Sequence, residues 1–389
     1  MTPRSVGTVA TQFFTFGTPN EPFPLKFGET LPEVTLAYET YGVLAPDRAN
    51  AVLVFHALTG SQHAAGHNAS VPGVGDRWTD ECQTGWWDGF IGPGKALDTN
   101  RFFVITANYL GGCYGSTGPS SRNPATNQPY GSAFPQIGFC DTVDANIRLI
   151  EHLGIEKLHA VIGASTGGIM CLSLATRYPD MVDIVIPIAA GARLTALQTL
   201  HNLEQIVAIT TDPAFSGGDY YNQRTGPNNG LALARMIGHK TFVSLKSLEQ
   251  RARAETPTRD GPPTYAIDDP LESYMWHQGT KFVNRFDANS YLQNMRAWHT
   301  FDLAAEAGVD NLDDLFTGSR NHHYMVFTID SDVCFYPEEQ DALVAHLKTA
   351  NVPHRRVTVH SDKGHDSFLL EPRLFTPHLT DTLTNPWHL

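Results

Sequence analysis

The sequence predicts an α/β fold in which a mostly parallel central sheet is flanked by helices. Four runs in the first half are almost continuously apolar, as strands are when a sheet is covered on both faces. They are AVLVFHAL from Ala51, RFFVITANYL from Arg101, LHAVIGAS from Leu158 and DIVIPIAAGA from Asp183. Amphipathic stretches separate them, as in CDTVDANIRLIEHLGI, which has apolar residues at helical spacing and Gly154 as a stop signal. Alternation of strand and helix indicates a doubly wound sheet.

The pattern of elements changes after residue 194. Residues 195–320 contain helical segments, polar loops and the turn-rich run ETPTRDGPPT, without strand patterns. HHYMVFTIDSD and HRRVTVHSDKGHDSF then indicate two more strands. We therefore expect a core domain made of residues 1–194 and 321–389, interrupted by a helical insertion at residues 195–320. A chain of 389 residues is long enough for both.

Composition excludes several classes of function. The net charge is −13 and no basic run is present, which argues against nucleic acid as a partner. No apolar run reaches the roughly 18 residues that a membrane span needs, and the N-terminus has no signal-peptide pattern, so we expect a cytoplasmic protein without a membrane partner. The five cysteines are far apart and form no C-x-x-C pair, which indicates neither a disulfide framework nor a zinc site.

A serine between small residues is the main candidate for chemistry. Gly163 to Gly167 read G-A-S-T-G, with Ser165 at the centre, between a predicted strand and a predicted helix. This is the context of a nucleophile elbow, in which a sharp turn leaves no room for side chains at the glycine positions. A Ser/Gly turn without function is the alternative when the motif is taken alone. The strand–helix context favours a nucleophile.

A serine hydroxyl needs a base, and the base needs an orienting carboxylate. In sites of this kind the chain order is serine, acid, histidine. KGHDSFL supplies His365 in a loop after a predicted strand, and TIDSDVCFYP supplies the acid directly after another. We favour Asp332 as the acid, and Asp330 is the alternative.

An oxyanion in such a site is held by two backbone amides. One is the amide of the residue after the nucleophile, and the other lies in the loop after an earlier strand. These rules select Thr166 and, in VFHALTGS, Leu58. Nothing but position distinguishes the leucine.

Two other patterns resemble binding motifs. GFIGPGK, from Gly89 to Lys95, has the spacing of a phosphate-binding loop, but Ala96 follows where a hydroxyl would contact Mg²⁺. His63 and His67 are four residues apart, yet HAAGH lacks the glutamate that zinc hydrolases of this type use as a base. We interpret both as structural, and no metal site is predicted.

The sequence resembles the homoserine O-acetyltransferase family over nearly its whole length. The matching blocks are LPEVTLAYETYG, HALTGSQHAAG, GWWDGFIGPGKALDT, NYLGGCYGSTGPSS, GGDYY, GLALARMIGH, KFVNRFDANSYL and GHDSF. The resemblance implies an α/β-hydrolase fold and acyl transfer from acyl-CoA to an amino-acid hydroxyl. It implies acetyl-CoA as co-substrate with no permanently bound cofactor. It also implies that residues 195–320 form a lid at the mouth of a tunnel and the contact of a homodimer.

The resemblance also assigns the site residues. It implies a triad of Ser165, Asp332 and His365 with Leu58 and Thr166 as oxyanion donors. It further implies that the amino-acid substrate is bound by Arg235 of the LAR block and by Asp366, while Thr59 lines the same pocket. A guanidinium suits the carboxylate of an amino acid, and a carboxylate suits its ammonium group. A structural ion pair of Arg235 or Asp366 is the alternative.

Three departures from the family pattern concern substrate choice. Ala164 and Thr166 replace a glycine and a methionine of the elbow, Phe242 replaces a tyrosine, and the stretch 332–337 is one residue longer than the usual acid loop. They leave open a short-chain esterase or thioesterase, which would use the same triad with water as acceptor. Succinyl-CoA as donor and serine as acceptor also stay open. A non-catalytic binding scaffold would need a broken triad, and the sequence has none.

Overall fold

An eight-stranded sheet forms the centre of the protein, as seen in a computed structural model that describes residues 5–254, 261–262 and 265–385. A separate two-stranded sheet is formed by β2 and β3. The strands are β1 (Gln12–Phe16), β2 (Phe23–Pro24), β3 (Thr30–Leu31), β4 (Val34–Tyr41), β5 (Ala51–Phe55), β6 (Phe103–Ala107), β7 (Leu158–Ala164), β8 (Val182–Ile188), β9 (His323–Ile329) and β10 (His354–Val359).

The large sheet has the order β1-β4-β6-β5-β7-β8-β9-β10. The strands from β6 to β10 along this order are parallel, and β4 and β1 add an antiparallel edge. The predicted fold class is therefore confirmed, including the mostly parallel sheet. All six predicted strands are present, whereas β1 and β4 are not among the predictions.

The apolar runs are continuous because both faces of the sheet are covered. Leu53 and Phe55 of β5 belong to the apolar cluster that includes residues of the helices at Phe139–His152 and Thr166–Arg177. Val52 and Val54 alternate with them and belong to a second cluster, which includes residues of the helix at Pro372–Thr384. Successive side chains of a strand point to opposite faces, so each face of β5 must be apolar.

Helices cover the sheet and fill the chain between β8 and β9. They are α1 (Phe139–His152), α2 (Thr166–Arg177), α3 (Ala196–Thr210), α4 (Asn228–Phe242), α5 (Leu245–Ala254), α6 (Pro270–Val283), α7 (Ala288–His299), α8 (Leu303–Glu306), α9 (Leu312–Thr317), α10 (Pro337–Thr349), α11 (Ser367–Leu370) and α12 (Pro372–Thr384). We call α3 to α9, residues 196–317, the helical insertion. Its role as a lid stays a prediction. No helix in the described ranges has both the length and the apolar character that a membrane span requires.

The topology places four loops at one edge of the sheet. The carboxyl ends of parallel strands lie together, and the chain changes direction across the sheet between β5 and its neighbour β7. Open α/β sheets bind ligands in the crevice at such a switch point. The loops that follow β5, β7, β9 and β10 therefore share this edge. The first carries the predicted oxyanion donor Leu58, and the other three carry the predicted catalytic residues Ser165, Asp332 and His365.

Candidate active site

Ser165 lies on a sharp turn between β7 and α2. Its φ of 59° and ψ of −128° fall in a region that residues with side chains rarely adopt. A Cβ atom on Gly163 would lie 2.3 Å from the carbonyl oxygen of Gly167, and one on Gly167 would lie 2.4 Å from that of Phe55. The Ser165 N–H donates to the carbonyl of Ile188 at 2.9 Å. Close backbone packing thus explains the glycines of the motif.

His365 and Asp332 form a buried pair. His365 Nδ1 lies 2.6 Å from Asp332 Oδ2. The other carboxylate oxygen accepts the N–H groups of Cys334 at 2.8 Å and Phe335 at 2.9 Å. The imidazole stacks on the Phe335 ring, with 5.4 Å between ring centroids. These contacts fix the ring and leave Nε2 without a hydrogen-bond partner among the described residues.

The surroundings of His365 favour its protonated form. Burial alone lowers the pKa of the imidazole, but the Asp332 carboxylate outweighs it, with a smaller contribution from Asp366. The net effect raises the pKa above the usual 6.5. Ser165 and His365 line the same cavity, although no hydrogen bond joins Ser165 Oγ to His365 Nε2 within the described chain. In ligand-free sites such contacts are often long and tighten only when substrate binds.

The alternative acid, Asp330, faces elsewhere. Its Oδ2 lies 2.8 Å from His360 Nδ1, and its Oδ1 accepts the Ser361 N–H at 3.0 Å. Asp330 therefore joins the ends of β9 and β10 near the surface. Of the two aspartates in the acid loop, Asp332 is the one in contact with His365.

The predicted oxyanion donors follow adjacent strands. Thr166 is the first residue of α2, where an amide has no acceptor within the helix. Leu58 follows β5, and its N–H donates no hydrogen bond within the part of the chain that the structure describes. Both amides are thus available to a ligand at the carboxyl edge of the sheet.

The cavity that contains Ser165 has a volume of about 310 Å³. Arg235, Asp366 and Thr59, the predicted substrate-binding residues, also line it. Neither Arg235 nor the Asp366 carboxylate makes an ion pair or a side-chain hydrogen bond with the described residues. Within the described residues, neither Arg235 nor Asp366 therefore forms the structural ion pair that was the alternative to a substrate-binding role.

Arg235 is held by aromatic rings rather than by acceptors. Its guanidinium carbon lies 5.2 Å from the centroid of Phe242 and 4.9 Å from that of Phe282. Burial lowers the pKa of Arg235, and the nearby Arg285 lowers it further. Burial also raises the pKa of Asp366, while His365 and Arg235 oppose the rise. Two desolvated groups of opposite charge thus face one cavity and influence each other's pKa, but they do not form a direct ion pair.

Arg285 and Glu81 also line the cavity and were not predicted as site residues. Arg285 Nε lies 2.8 Å from Glu81 Oε1, and its Nη1 donates to Tyr114 Oη at 3.1 Å. Lys281 Nζ lies 2.6 Å from the second oxygen of Glu81. The contact between Arg285 and Tyr114 spans 171 residues of sequence. No local pattern marks such a contact, although Arg285 lies in the block KFVNRFDANSYL.

The two patterns interpreted as structural lie in ordinary surroundings. The Lys95 ammonium contacts the backbone carbonyl and the carboxylate of Asp88. His63 is buried, with Nδ1 2.8 Å from Glu39 Oε2, whereas His67 is exposed. Within the described residues, no group of three or more His, Cys, Asp or Glu is arranged to hold a metal ion.

The fold and the turn that carries Ser165 define a class of protein. A family model described as alpha/beta hydrolase fold matches residues 50–372. The protein is thus an α/β-hydrolase-fold protein whose sheet edge carries a serine, a buried histidine–carboxylate pair and two available amides.

Known relatives define the family within that class. The chain is 43% identical over 376 residues to a homoserine O-acetyltransferase of Methanobrevibacter ruminantium, covering 95% of this chain and 72% of that protein. It is 42% identical over 371 residues to a homoserine O-succinyltransferase of Aromatoleum aromaticum, covering 95% of both. The chain belongs to the homoserine O-acetyltransferase family and is an acyltransferase of that type, as the sequence resemblance predicts.

Solved structures include both a transferase and an esterase among its neighbours. The homoserine O-acetyltransferase from Bacillus anthracis superposes with a TM-score of 0.85 at 26% identity, covering 97% of this chain and 98% of that one. Esterase E22 superposes with a TM-score of 0.84 at 26% identity, covering 96% and 100%. The same architecture therefore occurs in proteins named for two different acceptors of an acyl group.

Proposed function

We propose that the protein transfers an acyl group from acyl-CoA to the hydroxyl of homoserine through an acyl-enzyme on Ser165. The observation that supports this best is that two oppositely charged side chains, Arg235 and Asp366, line the Ser165 cavity without forming an ion pair with each other. A site for water as acceptor needs no such pair. A zwitterionic acceptor does, because its carboxylate and ammonium must replace their hydration inside the cavity.

Acylation is the first half of the reaction. His365 Nε2 takes the proton of Ser165 Oγ while the oxygen attacks the thioester carbon of acyl-CoA. The tetrahedral oxyanion is held by the N–H groups of Leu58 and Thr166. The carbon–sulfur bond then breaks, and the CoA sulfur leaves as a thiol with the proton from His365. Asp332 keeps the imidazole in the Nδ1–H form throughout.

Transfer is the second half. The homoserine hydroxyl gives its proton to His365 Nε2 and attacks the ester carbon of acyl-Ser165. The serine oxygen leaves with that proton, and O-acylhomoserine is released. Arg235 binds the substrate carboxylate, Asp366 binds the ammonium group, and Thr59 borders the same space. This orientation gives the bound hydroxyl its advantage over water.

Acetyl-CoA is the donor that we propose, as a co-substrate rather than a bound cofactor. Succinyl-CoA is the alternative, and it is favoured by the name of the Aromatoleum relative. We also propose that the helical insertion acts as a lid over the cavity, since Arg235, Phe242, Arg285 and Trp298 of this region line it.

An esterase or thioesterase is the second candidate. Phe242 favours it, because this ring lies beside Arg235 and lacks the hydroxyl that the family pattern has at this position. The overlay with esterase E22 is a further argument. In that reaction, water takes the place of homoserine in the second half.

Product analysis separates these functions. We would supply acetyl-CoA or succinyl-CoA with and without homoserine or serine, and measure O-acyl amino acid and free carboxylic acid by mass spectrometry. We expect O-acetylhomoserine as the main product and its loss in Ser165→Ala. Release of free acetate at a rate that does not respond to homoserine would instead identify a hydrolase.

A matched pair of variants tests the acceptor site. Arg235→Gln should raise the KM for homoserine about tenfold or more, because a charge-assisted contact is lost. The KM for acetyl-CoA should change little. Arg122→Gln, in an exposed loop outside the cavity, is the control. An unchanged KM for homoserine in Arg235→Gln would argue against an amino-acid acceptor at this site.

A further inference from the structure

The loop after β5 is held from two sides, and we propose that Asn294 of the helical insertion is a positioning residue for the oxyanion donor Leu58. The inference rests on the proposed acyl-enzyme, in which the Leu58 N–H contacts the oxyanion. It adds a role for the insertion that neither the motif nor the triad contains. The insertion would not only cover the cavity but also fix part of the catalytic geometry.

Leu58 lies between two peptide planes, the one that joins it to Ala57 and the one that joins it to Thr59. The core fixes the first of these, which contains the Leu58 N–H. His56 Nδ1 lies 2.7 Å from the carbonyl oxygen of Ala57, and His56 Nε2 accepts the N–H of Tyr109 at 3.3 Å. Nε2 is thus the acceptor and Nδ1 carries the hydrogen. Burial lowers the pKa of His56 to about 3, which keeps this neutral form across the working range of pH. In a trans peptide the Leu58 N–H points away from the held Ala57 carbonyl.

The helical insertion fixes the second plane. Asn294 Nδ2 donates to the carbonyl oxygen of Leu58 at 2.8 Å, across 236 residues of sequence. The Asn294 side chain is buried, so this contact does not compete with bulk water. With the peptide planes on both sides held, the φ and ψ angles of Leu58 are determined. Without the Asn294 contact, the second plane is free to rotate, and only the His56 contact would hold the Leu58 N–H toward the cavity.

Asn294 is itself carried by a fixed helix. Asp287 directly precedes α7, and its carboxylate accepts the Ser290 N–H and the hydroxyl groups of Tyr220 and Tyr221, each at 2.9 Å. These contacts tie the start of α7 to an earlier part of the insertion. Ten of the residues in α7 are buried, so the helix has little freedom to shift. A rigid helix can impose a direction on the loop that it contacts.

A merely structural role for Asn294 is the alternative, and it makes a different prediction. Asn294→Leu keeps the size of the side chain and removes the donor without adding a charge. If Asn294 positions Leu58, acylation should slow by roughly 10- to 100-fold, which approaches the loss of an oxyanion donor. The dissociation constant of homoserine should stay within about twofold, since Asn294 does not contact the proposed acceptor site.

Asn146→Leu is the matched control. Asn146 is also a buried asparagine whose Nδ2 donates to a backbone carbonyl, that of Thr142 at 2.9 Å. It lies in α1, outside the cavity and the loop after β5. Both substitutions remove a hydrogen bond from a buried asparagine amide to a backbone carbonyl, within one helix for Asn146 and between distant segments for Asn294. Loss of acylation is expected only in the Asn294 variants.

The experiment measures the burst of p-nitrophenol from p-nitrophenyl acetate in wild type, Asn294→Leu, Asn294→Ser and Asn146→Leu. A slow burst in both Asn294 variants with a normal burst in Asn146→Leu supports the inference. A normal burst in the Asn294 variants, or an equal loss in the control, overturns it. Asn294→Ser serves alone if the leucine variant does not fold.

Failure of the proposed function has a separate signature. A wild-type burst without O-acylhomoserine formation rejects homoserine transfer, and the comparison of variants still decides the role of Asn294. A wild type that releases p-nitrophenol no faster than Ser165→Ala, in the burst or in the steady state, rejects the acyl-enzyme and, with it, the positioning role.

Discussion

The chemistry at residue scale depends on which nitrogen of His365 is free. Nδ1 contacts Asp332, so Nε2 is the atom that can receive a proton from the serine. A base must be neutral to accept a proton, and the pKa of His365 is raised above 6.5. Below that pKa the imidazole is protonated. Activity should therefore rise with pH, with a midpoint above 6.5 in the free enzyme.

Asp332→Asn tests this assignment. We expect kcat/KM to fall by about 10⁴-fold, because an amide no longer selects the Nδ1–H form. The midpoint of the residual pH profile should move to lower pH, since the carboxylate is the largest contribution that raises the pKa of His365. The measurement is kcat/KM for acetyl-CoA as a function of pH. Asp330→Asn, which changes a contact with His360, is the control and should keep the wild-type profile. The assignment would be wrong if Asp330→Asn lost more activity than Asp332→Asn.

The sequence could predict the site residues that follow from motifs and from their order along the chain. It could not predict the residues whose role depends on contacts between distant parts of the sequence. The predicted Ser165, His365 and Asp332 follow strands, so topology brings their loops to one edge. Asn294 and Arg285 contact the loop after β5 across 236 and 226 residues. Such contacts depend on how the helical insertion packs, which no local pattern encodes.

At the scale of elements, the start of α3 and the start of α10 are joined through a buried carboxyl group. Glu339 accepts the Tyr336 N–H at 2.9 Å and Gln198 Nε2 at 3.1 Å. Gln198 also donates to the carbonyl of Cys334 at 2.8 Å, in the same loop as Asp332. Burial raises the pKa of Glu339 from 4.5 to about 8. The insertion is thus tied to the acid loop by a carboxyl group that is protonated at neutral pH.

Glu339→Gln should change how stability depends on pH. Between pH 4.5 and about 8 the folded state binds a proton at Glu339 that the unfolded state releases, so wild-type stability falls as pH rises through this range. The amide resembles the protonated carboxyl group and does not titrate. We expect the Tm of the variant, relative to wild type, to increase from mildly acidic to mildly alkaline pH. Thermal unfolding at several pH values measures this difference.

The control for that experiment is Glu338→Gln. Glu338 is the neighbouring residue in α10 and is exposed. The difference in Tm between Glu338→Gln and wild type should not depend on pH. If the difference in Tm between Glu339→Gln and wild type is also independent of pH, Glu339 is ionised in the folded protein at neutral pH.

The strands differ in how well the sequence reveals them. The parallel strands are continuous apolar runs, whereas β1 is largely exposed and β4 contains polar residues. Glu39 in β4 is buried and accepts hydrogen bonds from four side chains, which are Thr11, Tyr41, His63 and Asn68. A carboxylate inside a strand disrupts the apolar pattern, and its compensating partners are visible only in three dimensions.

For the whole molecule, the exposed face of α3 bears on assembly. Four apolar residues at a spacing of three or four are exposed along it, namely Leu197, Leu200, Leu203 and Val207. A contiguous apolar stripe on a surface helix is typical of an interface. It supports the proposal of a homodimer formed through the helical insertion.

Leu200→Glu should weaken that dimer. We expect wild type to have the mass of two chains by light scattering after size exclusion, and the variant to dissociate at micromolar concentration, because a charge would be buried in an apolar contact. Val43→Glu, at an exposed apolar residue outside the insertion, is the control. Equal masses for wild type and Leu200→Glu would exclude this face as the interface.

The order along the chain of the groups proposed for catalysis and positioning has a consequence for synthesis. Ser165 and its elbow leave the ribosome early, whereas Asn294, Asp332 and His365 all lie in the last third of the sequence. The nascent protein therefore carries an unactivated hydroxyl until β10 and the loop after it have been translated. A stalled chain that ends before β10 is therefore expected not to react with a fluorophosphonate, because it lacks the histidine that would activate Ser165.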